Sequence, residues 1–192
     1  MTSAADREAP RQRADAARNR EAVLQAATAV FARSETEPSM RALAREAGVG
    51  VATLYRHFPT REALVDAVYH DQVRRLTTGA AELVAGHPPA EALRRWMDLF
   101  AEWMATKHGM LNTLVAMIDA DRIVHADTRD SLLAAIDTIL SAGVEAGDIR
   151  ADARAEDVAA GLIGILTVTG PPAVNPQAAR LLDLLNDGLR GR

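Results

Sequence analysis

The side chains best suited to bind another molecule are concentrated between positions 39 and 62. This stretch reads SMRALAREAGVGVATLYRHFPTRE and combines hydroxyl, phenol, imidazole and guanidinium groups. It lies in the basic part of the chain, because residues 1–61 hold ten arginines and seven acidic residues, a net charge of +3, whereas the remainder carries −7. Such asymmetry indicates that one end of the protein meets an anion and the other does not.

Two short helices joined by a tight turn are predicted to position these side chains. Ser39 occupies an N-cap position and opens a helix that Gly48 ends. A second short helix follows and stops at Pro59, which gives the helix-turn-helix pattern. The second helix is predicted to bury Leu54 and Phe58. The residues then left on its outward side are Gly50, Val51, Thr53, Tyr55, Arg56 and His57.

The segment AGVGVATLYRHFPTREAL resembles the signature of the TetR family of bacterial transcriptional regulators. The resemblance is strong over residues 22–68, and the rest of the chain has the length and the number of helices that the family has. The segment Gly147-Asp148-Ile149-Arg150 also resembles many members. It implies an all-α protein with an N-terminal three-helix DNA-binding domain. A connecting helix would join this to a C-terminal helical domain for effector binding and dimerisation.

The resemblance also implies roles for single residues. Tyr55, His57 and Arg61 would contact phosphates, Ser39 would cap a helix and touch phosphate, and Thr53 would lie at the backbone or a base edge. The full set of expected DNA-binding residues is Ser39, Arg41, Gly50, Val51, Thr53, Tyr55, His57 and Arg61. Arg41 matches a position that reaches a base in some members. The sequence departs from the family pattern at three positions: Gly50 replaces the usual serine or threonine cap, Ala52 replaces a glycine, and Glu35 replaces a loop glycine. Val51 is apolar, so the only base feature it could contact is the methyl group of thymine.

Apolar residues recur with helical spacing along almost the whole chain, and no segment alternates as a strand does. We predict a flexible basic arm at 1–13, a DNA-binding domain at 14–60 and an effector-binding and dimerisation domain at 61–192. Arg11, Arg13, Arg18 and Arg20 fit either a basic arm along DNA or a solvated helix face. The predicted helices are 14–32, 40–47, 51–58, 61–84, 90–106, 109–119, 127–146, 154–168 and 177–190, and Thr60 is predicted to cap the fourth.

A group of aromatic and sulfur-containing side chains in the second half has two interpretations. Family resemblance implies an effector pocket between these helices, suited to a small amphiphile. The alternative is a packed core in which methionines fill gaps. The candidate ligand-binding residues are Trp96, Phe100, Trp103, Met104, Met110, Leu114 and Met117.

The last two predicted helices carry apolar stripes, and Gly161 and Gly164 would let another backbone approach. The family pairs these helices with their copies in a symmetric four-helix bundle, so a homodimer is expected. Burial within one protomer is the alternative. The candidate dimer-interface residues are Val158, Leu162, Ile165, Leu181, Leu182, Leu185 and Leu189.

Several kinds of chemistry are not expected. The chain has no cysteine, nucleophile elbow, phosphate-binding glycine loop or paired carboxylates, so we expect no enzyme and no cofactor. His70-Asp71 and His125-Ala126-Asp127 lack a third ligand at helical spacing, so we expect no metal. The longest apolar run, 158–166, is too short to span a membrane, and the polar N-terminus lacks a signal sequence. The expected compartment is the cytoplasm.

These observations predict a ligand-responsive transcriptional regulator. The expected partners are double-stranded operator DNA, bound as a homodimer at a palindrome, and a small amphiphilic effector that releases it, with repression favoured over activation. The alternative is a dimeric helical ligand-binding or scaffold protein without specific operator binding, which the departures at Gly50 and Val51 keep open.

Overall fold

The chain folds as helices throughout the part that the structure describes. The computed structural model describes residues 4–34, 36–120 and 125–191, with side chains at those positions except 4–18 and 125–126. Within these ranges there are nine helices and no β-strand, which confirms the predicted all-α class. The helices are α1 (Ala4–Arg33), α2 (Met40–Glu46), α3 (Val51–His57), α4 (Arg61–Gly86), α5 (Pro89–Gly109), α6 (Leu111–Asp119), α7 (His125–Ala146), α8 (Ala155–Thr169) and α9 (Pro176–Gly188).

Side-chain caps explain where several helices begin. Ser39 Oγ accepts a hydrogen bond from the N–H of Ala42 at 3.2 Å, and Thr60 Oγ1 accepts one from Ala63 at 3.1 Å. Each hydroxyl satisfies a backbone donor that has no partner within its own helix. The sequence predicted both caps, and the structure confirms them.

The start of α1 differs from the prediction. The helix begins at Ala4, whereas the sequence predicted a flexible arm over 1–13 and a helix from position 14. The helix therefore begins earlier than predicted, the flexibility of a basic arm at 1–13 stays a prediction, and residues 1–3 lie outside the described residues. The segment has many good helix formers but no apolar stripe, so periodicity alone gives no signal there.

Helices α1 to α3 and the start of α4 enclose a small core. Its centre includes Phe31 and Leu54, both 0% exposed, and Phe58 at 1%. The C-terminal end of α1 also packs against the end of α5. At this crossing a Cβ on Gly109 would lie 2.0 Å from the carbonyl oxygen of Phe31. Only glycine permits so close an approach of the two backbones.

Helices α4 to α9 form the larger body. An aromatic cluster on α5 occupies its interior, with ring centroids of Trp96 and Phe100 5.6 Å apart and those of Phe100 and Trp103 5.3 Å apart. The indole Nε1 of Trp96 donates to the carbonyl of Leu76 at 2.8 Å, which ties α5 to the connecting helix α4. Among the described residues, no helix is both long and apolar enough to cross a membrane.

Candidate nucleic-acid interface and ligand site

The turn between α2 and α3 holds the two helices at a fixed angle. Gly48 adopts a positive φ of 66°, and the N–H of Val49 donates to the carbonyl of Ala44 at 3.0 Å. Leu54 then anchors α3 to the core, so the orientation of α3 is set by burial on one side. The opposite side of α3 is thereby presented to the outside.

This outward surface, which we call the α2–α3 face, collects polar and basic side chains. Its members are Ser39, Arg41, Arg45, Gly50, Thr53 and Tyr55. Arg41 and Arg45 lie one turn apart on α2, and both are exposed. Together with Ser39 and Gly50 they line a shallow depression between α2 and the start of α3. The face can donate charge-assisted hydrogen bonds to an anion.

The outward side of α3 is less uniform than the sequence predicted. Tyr55 is 45% exposed, while Thr53 and His57 are half-buried, and the His57 ring lies 6.5 Å from that of Phe58. Val51 is also half-buried and packs against the core, so it is less available than predicted. Gly50 caps α3 without a side-chain hydrogen bond, as its departure from the family pattern predicts. Contacts of these residues with DNA stay predictions.

Arg61 makes several contacts within its own chain. Its Nε donates to Thr113 Oγ1 at 3.0 Å, its Nη1 donates to the carbonyl of Pro38 at 2.6 Å, and its Nη2 lies 3.2 Å from Glu37 Oε2. Nε and Nη1 are thus hydrogen-bonded within the protein, whereas Nη2 lies beside the Glu37 carboxylate and has no hydrogen-bond partner among the described residues. A contact of Arg61 with a DNA phosphate stays a prediction.

The same contacts join the two domains. Glu37 lies in the loop between α1 and α2, and its carboxylate accepts from the Thr113 N–H at 2.9 Å and from Thr113 Oγ1 at 3.1 Å. Thr113 belongs to α6 in the body, and Arg61 opens α4. We call this group the Glu37–Arg61–Thr113 network. Sequence reasoning missed it, because its members are 24 to 76 positions apart and carry no local pattern.

The predicted ligand-binding residues are mostly core. Their side chains are at most 4% exposed, apart from Met104, which is half-buried, so the structure supports the alternative of a packed interior at six of the seven positions. The six are Trp96, Phe100, Trp103, Met110, Leu114 and Met117. Trp103 nevertheless keeps an indole Nε1 that is buried without a hydrogen-bond partner among the described residues.

A cleft of about 750 Å³ lies beside this core, where α1, α5 and α8 meet. We call it the α1–α5–α8 cleft. Lys107 and Met104 extend from α5 into its wall, and Leu166 contributes from α8. The residues that line it are Ala32, Arg33, Ser34, Ala101, Met104, Ala105, Lys107, His108, Leu111, Leu166, Thr167, Gly170, Pro171 and Val174. Of the predicted ligand-binding residues, this cleft contains Met104 alone.

The predicted dimer residues divide between the inside of the protomer and its edge. Val158, Leu162 and Leu182 are at most 1% exposed in the single chain, so they pack in its interior, and their place in a dimer interface stays a prediction. The half-buried residues are Ile165, Leu181, Leu185 and Leu189, of which Leu185 already packs near Gly161.

Other apolar side chains of α8 and α9 are free. Ile163 is 48% exposed and Leu184 is 66% exposed, and no described atom lies within 4 Å of where a Cβ on Gly164 would stand. Ala160, Ile163, Gly164 and Thr167 share one side of α8 by their three- and four-residue spacing. We call these α8 residues, together with Leu184 of α9, the exposed stripe; it is open to a second copy of the chain.

No metal centre is apparent within the described ranges, where three or more His, Asp or Glu side chains never cluster as ligands. His70 Nε2 lies 3.4 Å from Asp66, an exposed i,i+4 pair on α4. The side chain of His125 lies outside the described residues.

Comparison with known proteins assigns both halves of the chain. Residues 23–68 match the model of bacterial regulatory proteins of the tetR family, and residues 88–191 match that of the C-terminal domain of SbtR-like transcriptional regulators. No curated protein gives a significant match.

Solved structures agree with these matches. The TetR transcriptional regulator SCO0520 from Streptomyces coelicolor is 42% identical, with a TM-score of 0.80 over 90% of this chain and 98% of that one. A TetR regulatory protein from Mycobacterium vanbaalenii is 35% identical, with a TM-score of 0.71 over 93% and 99% of the two chains. The ketosteroid regulator KstR2 of Mycobacterium tuberculosis, at 20% identity, a TM-score of 0.58 and 90% and 95% coverage, shares the fold.

Proposed function

Because this chain belongs to the TetR family of bacterial transcriptional regulators, we propose that it is a dimeric repressor that a small amphiphile releases from a palindromic operator. The observation that carries the proposal is the α2–α3 face. It brings the exposed Arg41, Arg45 and Tyr55 to one side of two helices that are anchored from behind by buried residues.

In this proposal some side chains of α2 and α3 position the protein on DNA and others read its base sequence. The α3 helix enters the major groove, with the Tyr55 hydroxyl and the Ser39 hydroxyl donating to phosphates, which fixes the register. Arg41 extends from α2 toward a base edge, where a guanidinium can donate to both acceptors of a guanine. Arg45 adds positive charge that favours the phosphate backbone.

Dimerisation would set the distance between the two α3 helices, one in each protomer. Half-sites on one face of B-DNA lie about 34–36 Å apart, so a dimer must present its two α3 helices at that spacing. The exposed stripe that contains Ile163 and Leu184 supports association through α8 and α9. A two-fold pairing of this stripe would make a four-helix bundle with one α8–α9 pair from each protomer.

The Glu37–Arg61–Thr113 network supports a mechanism by which an effector releases the protein from operator DNA. It connects α6 in the body with the loop that leads into α2, and its groups are mostly enclosed, with the Arg61 and Glu37 side chains 23% and 17% exposed. An effector that binds the body better when α6 is displaced would thereby alter the placement of the α2–α3 face. By linkage, operator DNA must weaken effector binding by the same factor.

Selection of bound fragments from the genome of the source organism tests the proposal. The native protein should enrich a limited number of fragments, and footprinting should show two protected half-sites about one helical turn apart. Enrichment with no common sequence would contradict operator recognition and favour the ligand-binding or scaffold alternative. The genes beside an enriched site would also indicate the chemical class of the effector.

A further inference from the structure

The α1–α5–α8 cleft has the size and composition of a small-molecule site. Its volume of about 750 Å³ falls within the range of about 300–1,000 Å³ that is usual for ligand pockets. Apolar side chains line much of it, including Met104, Leu111, Leu166 and Val174, and no acidic residue does. The exposed fractions of Leu111 and Val174, 42% and 75%, leave apolar surface at its walls uncovered.

Lys107 provides its principal uncommitted charge. It is the sole lysine of the chain, and its Nζ lies 5.3 Å from the centre of the Trp103 ring. Burial lowers the pKa of Lys107, and among the described residues no carboxylate pairs with it. The other permanent cation in the cleft, Arg33, already pairs with Glu46. A partly desolvated, unpaired ammonium is stabilised by an anion that comes with an apolar body.

We propose that the α1–α5–α8 cleft binds a monoanionic carboxylate amphiphile, with the carboxylate on Lys107 and the hydrocarbon chain along Met104, Leu111 and Leu166. One unpaired ammonium matches one negative charge. The site lies outside the predicted group of ligand residues except at Met104, and one of its walls is the end of α1, which belongs to the DNA-binding domain. A ligand here therefore touches both domains directly.

Calorimetric titration of the full chain with decanoate and with decanol tests the site. The two probes have equal chain lengths and differ at the head group. Decanoate should bind at one site per protomer and change Trp fluorescence, because Lys107 covers Trp103. Lys107→Met should weaken decanoate binding by roughly 10- to 100-fold, as expected for the loss of a charge-assisted hydrogen bond, and leave decanol binding unchanged.

Two further variants keep the test decisive. Lys107→Arg retains the charge and should retain most of the decanoate affinity, and Arg75→Met removes an exposed charge from α4 and should behave as the native protein. Equal binding of decanoate and decanol, or no binding of either, would overturn the proposal. So would tighter decanoate binding by a monomeric Leu184→Asp variant than by the native protein, because the second copy would then be the natural occupant of the cleft.

The effect on DNA rests on the proposed function and is measured separately. Saturating decanoate should lower operator affinity in the native protein and have no effect in Lys107→Met. If decanoate binds through Lys107 but operator affinity does not change, the cleft is a ligand site without a regulatory role. If no operator is found, the decanoate titration still decides whether the cleft binds a carboxylate amphiphile.

Discussion

At the scale of single residues, Arg61 shows how a motif position can acquire a structural task. The sequence aligns it with a position expected to meet phosphate, yet its guanidinium contacts a loop carbonyl, a carboxylate and a threonine hydroxyl of its own chain. Those partners lie far away in sequence, so local reasoning cannot find them. Arg41 and Tyr55 can be predicted as outward without such partners, because each is placed by its spacing from a buried residue of its own helix, Leu43 on α2 and Leu54 on α3.

We predict that the Glu37–Arg61 pair stabilises the fold and couples the two domains. Arg61→Met should lower the free energy of unfolding by about 2 kcal/mol, since it leaves a mostly enclosed carboxylate without its cation. Glu37→Gln should cost a similar amount, and the double variant should cost less than the sum. Denaturant unfolding of all four proteins gives the coupling energy.

The exposed pair of Arg95 and Glu91 on α5 is the matched control. The two side chains are 53% and 48% exposed, so Arg95→Met should cost about 0.5 kcal/mol or less. A coupling energy near zero for Glu37 and Arg61 would mean that their contact does not hold the domains together.

Tyr69 provides a prediction about pH. Burial raises the pKa of its phenol above the ordinary 10.0, an effect that the hydrogen bond with Thr128 partly offsets. The folded protein therefore favours the neutral phenol, and this contribution to stability is present below pH 10 and is lost as pH rises through the raised pKa. The free energy of unfolding should fall more steeply above pH 10 in the native protein than in Tyr69→Phe, by at most about 1.4 kcal/mol per pH unit. If the free energies of unfolding of the native protein and Tyr69→Phe change in parallel with pH, this account of Tyr69 is wrong.

At the scale of elements, the helix ends were predictable wherever the sequence contains a capping residue or a helix-breaking residue. Ser39, Gly48, Thr60 and Pro176 mark ends that the structure reproduces within a residue or two. The inward side of α8 was not predictable, because the helix is apolar on more than one side. Val158 and Leu162 face the protomer core and Ile163 does not, a choice made by packing against the rest of the chain.

The crossing of α1 and α5 should be intolerant of any side chain. Gly109→Ala would place a methyl group 2.0 Å from a backbone oxygen of α1, so the helices must separate, and we expect a loss of about 1–3 kcal/mol. Gly86→Ala, at the end of α4 with no described atom within 4 Å, should be neutral or slightly stabilising. Thermal unfolding compares the two, and equal effects would argue against a tight crossing.

The exposed stripe of α8 and α9 should hold the dimer. Leu184→Asp replaces a side chain that is 66% exposed in the single chain, so the protomer should fold normally while the two copies separate. Sedimentation should show a monomer, and operator affinity should fall because the half-sites are no longer bound together. Val115→Asp, at a 46% exposed valine on α6, is the control and should remain dimeric. A dimeric Leu184→Asp protein would place the interface elsewhere.

At the scale of the whole molecule, the uneven charge of the sequence corresponds to the two parts of the fold. The basic N-terminal part forms the three-helix domain with its exposed arginines, and the acidic remainder forms the body with the cleft. The N-terminal helix-turn-helix was predictable because its segment carries its own buried anchors. The connection between the domains was not, because it depends on Glu37, Thr113 and Gly109, whose contacts form only in the folded chain.

The central claim is that the α2–α3 face reads a DNA sequence. The most direct test is a titration of the native protein, Arg41→Ala and the control Arg75→Ala on an operator duplex and a scrambled duplex at several salt concentrations. The native protein should prefer the operator by at least about 10³-fold. Arg41→Ala should lose ~1–3 kcal/mol per half-site on the operator and less on the scrambled duplex, and Arg75→Ala should match the native protein. Equal affinity of the native protein for both duplexes, at every salt concentration, would contradict the account.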